Sequence, residues 1–181
     1  MCGIAGIVSL SGAPIPRLAS GLALLDRLIA HRGPDSHDIW VDAEAGIAVS
    51  HRRLAIVDLT PAGAQPMFSH CGRYVMVYNG EVYNAQELRQ ELSSRGINWR
   101  GHSDTEVMVE ACEAWGVDTA VKRFIGMFAF ALWDLPGRRL TLVRDRLGIK
   151  PLYWGETGGT VVFGSQPKAI LAHPDWRPAS G

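Results

Sequence analysis

The fold turns on the first eight residues, MCGIAGIV (1–8). After Met1 and Cys2 every residue is small or apolar, with Gly3 and Gly6 spaced among Ile4, Ala5, Ile7 and Val8. A short unbroken apolar run reads as a strand covered on both faces, and residues 3–10 are predicted to form one. Removal of Met1, which aminopeptidases carry out before small residues, would leave Cys2 with a free α-amino group. A thiol of pKa ~8.5 and an amine of ~7.7–8 would then share one residue. Nucleophile and general base can thus come from Cys2 alone, as in other terminal-amine nucleophiles. A histidine base is the competing scheme, but none of the six histidines can be tied to Cys2 from sequence.

Working outward, Leu18, Leu22, Leu25, Leu28 and Ile29 fall on one face of an amphipathic helix running to about His31. The stretch HRGPDS (31–36) ends it, because Pro34 disfavours helix at the residue before it. Strands are expected at 37–42, 46–50 and 54–58, followed by a loop, DLTPAGAQPM. GRYVMVYNG reads as a strand closing on an Asn-Gly turn. Helices are expected from Ala85 to Arg95 and, opened by the capping-box pattern SDTE at 103–106 and stopped by Gly116, through Trp115. GMFAFALWD and RLTLVRD form a hairpin about Pro136-Gly137. Strands at 151–155 and 160–164 and a helix after Ser165 close the chain. Strands, then helices, then strands again predict an α+β domain with mainly antiparallel sheets layered beneath helices.

The 181 residues suit one domain, and 18 basic against 18 acidic residues leave no net charge. No broad attraction to nucleic acid or to an anionic membrane follows. The best candidate for a membrane span, Leu18–Ala30, is short of the roughly 20 apolar residues required and is broken by Asp26 and Arg27. The N-terminus lacks the features of a signal peptide, so the expected compartment is the cytoplasm. Cys2, Cys71 and Cys112 make neither a disulfide framework nor a zinc site. Cys112 sits in an apolar helical pattern and should be buried, and Cys71 reads as a turn thiol. No metal site and no phosphate-binding glycine loop is visible.

Three polar features suit chemistry at an amide. The Asn79 side chain and the Gly80 backbone N–H could together hold an oxyanion, although Asn-Gly more often marks a type I′ hairpin. Arg52 and Arg53 occupy adjacent, opposite-facing positions, so one can turn into a cleft and bind a carboxylate bidentately. Asp104 either supports a helix dipole or holds an ammonium. None decides the matter alone.

Together they do. The stretches CGIAGI (2–7), HRGPD (31–35), HRRLAIVDLTPAGAQPM (51–67), YNGEVYN (78–84), SDTEV (103–107), GMFAFALWD (126–134) and RDRLGIKPLYW (144–154) cover nearly the whole chain. In that order they resemble the glutaminase domain of class II glutamine amidotransferases, which are N-terminal-nucleophile hydrolases. The RGPD and HRRL…GAQPM stretches resemble the asparagine synthetase branch most. The resemblance implies a four-layer αββα sandwich, a glutaminase domain over residues 2–181, and L-glutamine as substrate. It implies Cys2 as nucleophile, Asn79 and Gly80 as oxyanion hole, and Arg53 as clamp for the substrate α-carboxylate. Asp104 and Glu81 would receive the α-ammonium, with Leu54, Ala55, Ile56 and Val57 lining the pocket and Arg52 solvent-facing or structural.

No cofactor is implied for this domain. ATP and Mg would serve only a C-terminal synthetase domain, whose Ser-Gly-Gly-x-Asp-Ser signature is absent from the sequence, so the chain is expected to be part of a longer protein. That domain is the implied partner, and a homodimer is left open. The ammonia acceptor, aspartate or another carboxylate, cannot be read. Where the family usually carries Ser-Glu-x-Lys-Ala-Leu, this chain has SQPKAI (165–170), with Ser165 read as the N-cap before Pro167. Arg144, Asp145, Arg146 and Lys150 face the next domain or form internal ion pairs. Two other readings are an N-terminal-cysteine hydrolase for a different amide and a catalytically silent regulatory module.

Overall fold

The computed structural model describes residues 1–54, 61–174 and 176. Along the chain the elements are β1 (Gly3–Ser9), α1 (Leu18–Leu28), β2 (Ser36–Asp42), β3 (Ile47–Arg53), β4 (Met67–Phe68), β5 (Tyr74–Val82), α2 (Ala85–Ser93), α3 (Asp104–Trp115), α4 (Val117–Arg123), β6 (Gly126–Asp134), β7 (Arg139–Arg144), β8 (Tyr153–Thr157), β9 (Thr160–Gly164) and α5 (Pro167–Leu171). They form two compact units, Met1–Leu54 with Pro151–Gly181, and Ala55–Lys150. The α+β class expected from the sequence is what the chain adopts, with two sheets antiparallel throughout.

In the first unit the sheet order is β2-β3-β1-β9-β8, which makes the opening strand the central one. That position explains its composition. Gly6 pairs with Phe163 of β9, whose ring fills the space a side chain would need: a Cβ on Gly6 would stand 2.2 Å from Phe163 Cζ. A Cβ on Gly3 would meet Ile29 and Arg32 at 3.2 and 3.3 Å. Helix α1 covers the same sheet with Leu22 and Leu25, joined by Ile29 just past its end, all fully buried in a cluster with Ala5, Ile7, Ala48 and Val162. Each such side chain contributes about 1.5–3 kcal/mol relative to exposure. The helix ends three residues before the expected His31, and a 3-10 turn, Ala30–Arg32, leads into HRGPD.

In the second unit the order is β4-β5-β6-β7. β6 is buried along most of its length, as its apolar sequence predicts, and Phe124, Phe128 and Phe130 interlock with ring centroids 6.0–6.4 Å apart. Met76, Tyr78 and Val82 of β5 join Met108 and Cys112 of α3 in the same cluster. α3 begins as SDTE predicts, with Ser103 Oγ accepting from the Glu106 N–H at 3.3 Å. The Glu106 carboxylate turns instead to Arg100 N, Arg100 Nε and Gly101 N at 2.8–3.1 Å.

Several expectations need correction. The Asn-Gly pair makes no turn: β5 runs straight through Asn79 and Gly80 to Val82, paired with β6 throughout. The expected strand at 54–58 falls mostly outside the described residues, and Leu54 itself lies beyond the end of β3. Ser165 is not the cap of α5. Gln166 holds that position without capping the helix through its side chain, while Ser165 Oγ accepts from Ile4 N at 3.0 Å. Pro167 does sit in the first turn of α5, as its fixed φ allows. Helix α4 and the two-residue β4 were not anticipated.

Candidate active site

The first unit brings Cys2, Arg53 and Leu54 together. Gly3 pairs with Arg52 in the β1–β3 ladder, so one step further along that ladder Cys2 comes level with Arg53. The half-buried thiol rests on the backbone of the next residue: Leu54 N–H donates to Cys2 Sγ at 3.4 Å, and Sγ lies 3.6 Å from the Leu54 carbonyl oxygen. Ala55, Ile56 and Val57, the remaining expected pocket residues, lie outside the described residues.

HRGPD wraps this corner. A Cβ on Gly33 would fall 2.3 Å from the Arg52 carbonyl carbon and 2.5 Å from Arg53 N, so only glycine allows the turn to close against that strand. The Asp35 N–H donates to the Arg53 carbonyl at 3.1 Å. Arg32 Nε donates to the Cys2 carbonyl oxygen at 3.0 Å. Burial lowers the Arg32 pKa from its ordinary value, and the attraction between its charge and the Cys2 thiolate acts in the other direction.

Arg52 and Arg53 part as adjacent strand residues do. Arg52 reaches the buried Asp26 of α1 in a close ion pair, so it is structural rather than solvent-facing. His37 approaches the same carboxylate at 3.8 Å.

The second unit holds Asn79, Gly80, Glu81 and Asp104. Asn79 and Glu81 alternate along β5 with Tyr78, Gly80 and Val82, so the two sets point to opposite faces. Asn79 is buried, and its Nδ2 has no hydrogen-bond partner among the described residues. Glu81 is exposed. Gly80 is held where β5 and β6 approach closely: a Cβ there would stand 2.3 Å from Met127 O and 2.6 Å from Phe128 Cα. Asp104, in the first turn of α3, accepts through Oδ2 from Tyr78 Oη at 2.6 Å and from Val82 N at 3.0 Å.

Three supporting residues escaped the sequence reading. Arg32 lay inside a motif whose glycine and proline drew the attention. Tyr78 looked like one more apolar strand residue, yet its hydroxyl orients Asp104. Gln65 is buried, donates to Thr105 Oγ1 at 3.1 Å and accepts from Tyr78 N at 2.6 Å, fastening the 61–67 segment to β5 and α3. A lone glutamine between an alanine and a proline gives no periodic signal.

Beyond this, Asp145 organises the segment after β7. Its carboxylate accepts from Phe128 N, Leu147 N, Ile149 N and Lys150 N at 2.9–3.2 Å. Burial pushes its pKa up, but the backbone donors outweigh that and hold it below the usual aspartate value. Arg144 donates to the Lys150 and Gly148 carbonyls, and Arg146 to those of Phe124 and Lys122. Among the described residues these arginines bind backbone carbonyls rather than carboxylates.

No helix among the described residues is long and apolar enough to cross a membrane. The sequence matches the glutamine amidotransferase domain family over residues 1–180. It is 41% identical over 180 residues to asparagine synthetase [glutamine-hydrolyzing] 3 of Bacillus subtilis, covering 97% of this chain and 28% of that protein. Asparagine synthetase [glutamine-hydrolyzing] 2 of the same organism is 38% identical over 179 residues, covering 96% and 23%. The chain therefore spans about a quarter of the length of these curated relatives. The B. subtilis glutamine phosphoribosylpyrophosphate amidotransferase structure superposes with a TM-score of 0.79 at 20% identity, covering 93% of this chain and 43% of that one, which shows a shared fold. On the full-length sequence match, the chain belongs to the glutamine amidotransferase domain family.

Proposed function

We propose that this domain hydrolyses L-glutamine to glutamate and ammonia through a γ-glutamyl thioester on Cys2, and that the ammonia feeds an ATP-dependent amidation carried out elsewhere in a longer protein. With Met1 removed, the Cys2 amine takes the thiol proton and the thiolate attacks the substrate's side-chain amide carbon. A C–S bond forms, and the carbonyl oxygen takes up negative charge. Asn79 Nδ2 and the Gly80 N–H donate to that oxyanion. The C–N bond then breaks, and the leaving nitrogen receives the proton from the terminal ammonium and departs as ammonia. Water attacks the thioester carbon, the C–S bond breaks, and glutamate leaves with the thiol restored.

Arg53 clamps the substrate α-carboxylate, and Asp104 with Glu81 receives its α-ammonium, while Leu54 and residues 55–57 line the pocket. Fixed charges at both ends of the amino-acid head are needed, because a pocket distinguishes one methylene by only ~1–3 kcal/mol. The chemistry calls for no metal or cofactor, since the thiol and its own amine supply nucleophile and base. ATP and Mg belong to the amidation step. The names of the relatives favour a synthetase domain as partner and aspartate as ammonia acceptor.

The observation that supports this reading most directly is the buried Asn79 amide with an unmet donor. Leaving such a donor unsatisfied costs ~1–3 kcal/mol, which is recovered when an oxyanion accepts from it. The test is ammonia release from L-glutamine, compared with L-asparagine and a simple acyl amide, by wild-type and Cys2→Ala protein whose processing has been checked by mass spectrometry. Release from glutamine alone, lost in Cys2→Ala, is expected. A processed protein that releases no ammonia from glutamine would overturn the proposal.

A further inference from the structure

The first unit contains a cavity of about 450 Å³, lined by Arg32, Tyr153, Gln166, Lys168 and two prolines together with Ser165. Its volume is in the range of small-ligand sites. Two of these residues also keep a polar atom shielded from solvent behind the lining. Arg32 Nη2 and Gln166 Oε1 are both buried and have no hydrogen-bond partner among the described residues. Ser165 Oγ is already taken by Ile4 N. Gln166 Nε2 lies 3.1 Å from His31 Nε2, so whichever way the amide is turned, one arm faces His31 and the other is left over.

Two cationic side chains, Arg32 and Lys168, thus border a space whose lining includes no Asp or Glu. A buried guanidinium donor without an acceptor is costly, and a carboxylate is the planar acceptor that its geometry fits. The same guanidinium that borders the cavity holds the Cys2 carbonyl through Nε at 3.0 Å. Because the guanidinium is planar and rigid, a ligand that draws the Arg32 head toward the cavity moves Nε with it.

We propose that this cavity is a regulatory site for a small free carboxylate, whose occupancy reaches Cys2 through Arg32. The binding half stands on the cavity alone; the regulatory half rests on Cys2 being the nucleophile.

The probe is succinate, titrated calorimetrically at constant ionic strength into Cys2→Ala protein, so that catalysis plays no part in the binding readout. A Kd of about 1 mM is expected. Gln166→Glu gives Arg32 a built-in carboxylate and should weaken succinate at least about tenfold. Lys168→Ala, at an exposed position, should weaken it about threefold without disturbing the fold. In protein with Cys2 intact, saturating succinate should change the iodoacetamide alkylation rate of Cys2 at least about twofold, with no change in Gln166→Glu.

No succinate binding at ~50 mM, or binding undiminished by either substitution, would overturn the site. A site that accepts carboxylates only from a protein segment would give that first outcome. Binding with an unaltered alkylation rate would overturn the coupling. Binding with its expected mutant pattern in a protein that releases no ammonia would leave the site standing and sink only the glutaminase reading.

Discussion

Cys2 and Leu54, separated by fifty-one intervening residues, meet through the backbone of a single residue: the Leu54 N–H donates to the sulfur at 3.4 Å, and the Leu54 carbonyl stands 3.6 Å from it. The thiol is therefore held by backbone on a neighbouring segment rather than by a side chain that could swing away.

That placement separates the three cysteines in a labelling experiment. Cys71 is exposed, Cys2 half-buried and Cys112 buried. Burial, with the nearby Glu113 charge adding to it, pushes the Cys112 thiol up to about 12. Since the thiolate is the nucleophile, iodoacetamide at pH 8 should modify Cys71 and Cys2 and leave Cys112 untouched. Glutamine should protect Cys2 selectively. Peptide mapping after timed quenching reads all three sites at once.

Asn79→Ala should lower kcat for glutamine hydrolysis by about 10²–10³ and leave KM within about threefold, because the donor acts on charge that exists only in the transition state. The alkylation rate of Cys2 should not change. A variant with full kcat would remove Asn79 from the oxyanion role.

Gly80→Ala should be poorly tolerated for steric reasons. The added methyl would lie 2.3 Å from Met127 O and 2.6 Å from Phe128 Cα, both backbone atoms that cannot rotate away. Overpacking of this kind costs about 3 kcal/mol, which corresponds to a Tm lower by roughly 6–12 °C for a chain of this size. Gly96→Ala is the control. Its φ of +86° is strained for alanine, yet nothing lies within 4 Å, so only about 1 kcal/mol should be lost.

Glu110 gives a pH signature. It is buried on α3, near His70 and Arg100, and burial raises its pKa above the ordinary glutamate value. The folded state thus holds the proton more tightly than the unfolded state. Its contribution to stability is fully present below the unfolded pKa and is lost as pH rises through the folded one. Glu110→Gln cannot ionise, so its stability relative to wild type should improve steadily as urea unfolding is moved from pH 4.5 upward. A difference independent of pH would refute the assignment.

How far the sequence could be read depended on whether a residue's role is periodic. The strand of residues 126–134 and the helix opened by Ser103 announce themselves through apolar runs and a capping pattern, and both formed where expected. Asn79-Gly80 was misread because the dipeptide is the common hairpin signal, whereas here Gly80 serves close strand approach and Asn79 a buried amide. The candidate residues were legible as motifs; the structure sets Cys2 level with Arg53 and against Leu54, while Asp104 meets β5 on its Tyr78 face and Asn79 points to the opposite one. What could not be read were contacts between distant residues with no repeating pattern. Arg32 on the Cys2 carbonyl, Arg52 on Asp26 and Gln65 under Tyr78 each depend on a loop's path through space. Helix α4 escaped for a different reason, since VDTAVKR is too short and polar to show a clear face.

The central position of β1 has a kinetic meaning. Chain termini usually fray, but here Gly3 is laddered to Arg52 and Ile4 exchanges bonds with Ser165 in both directions, Ile4 N to Ser165 Oγ at 3.0 Å and Ser165 N to Ile4 O at 2.9 Å. A newly exposed amine at position 2 would sit on an anchored strand rather than a wandering tail, so little motional freedom is left to surrender when a substrate arrives.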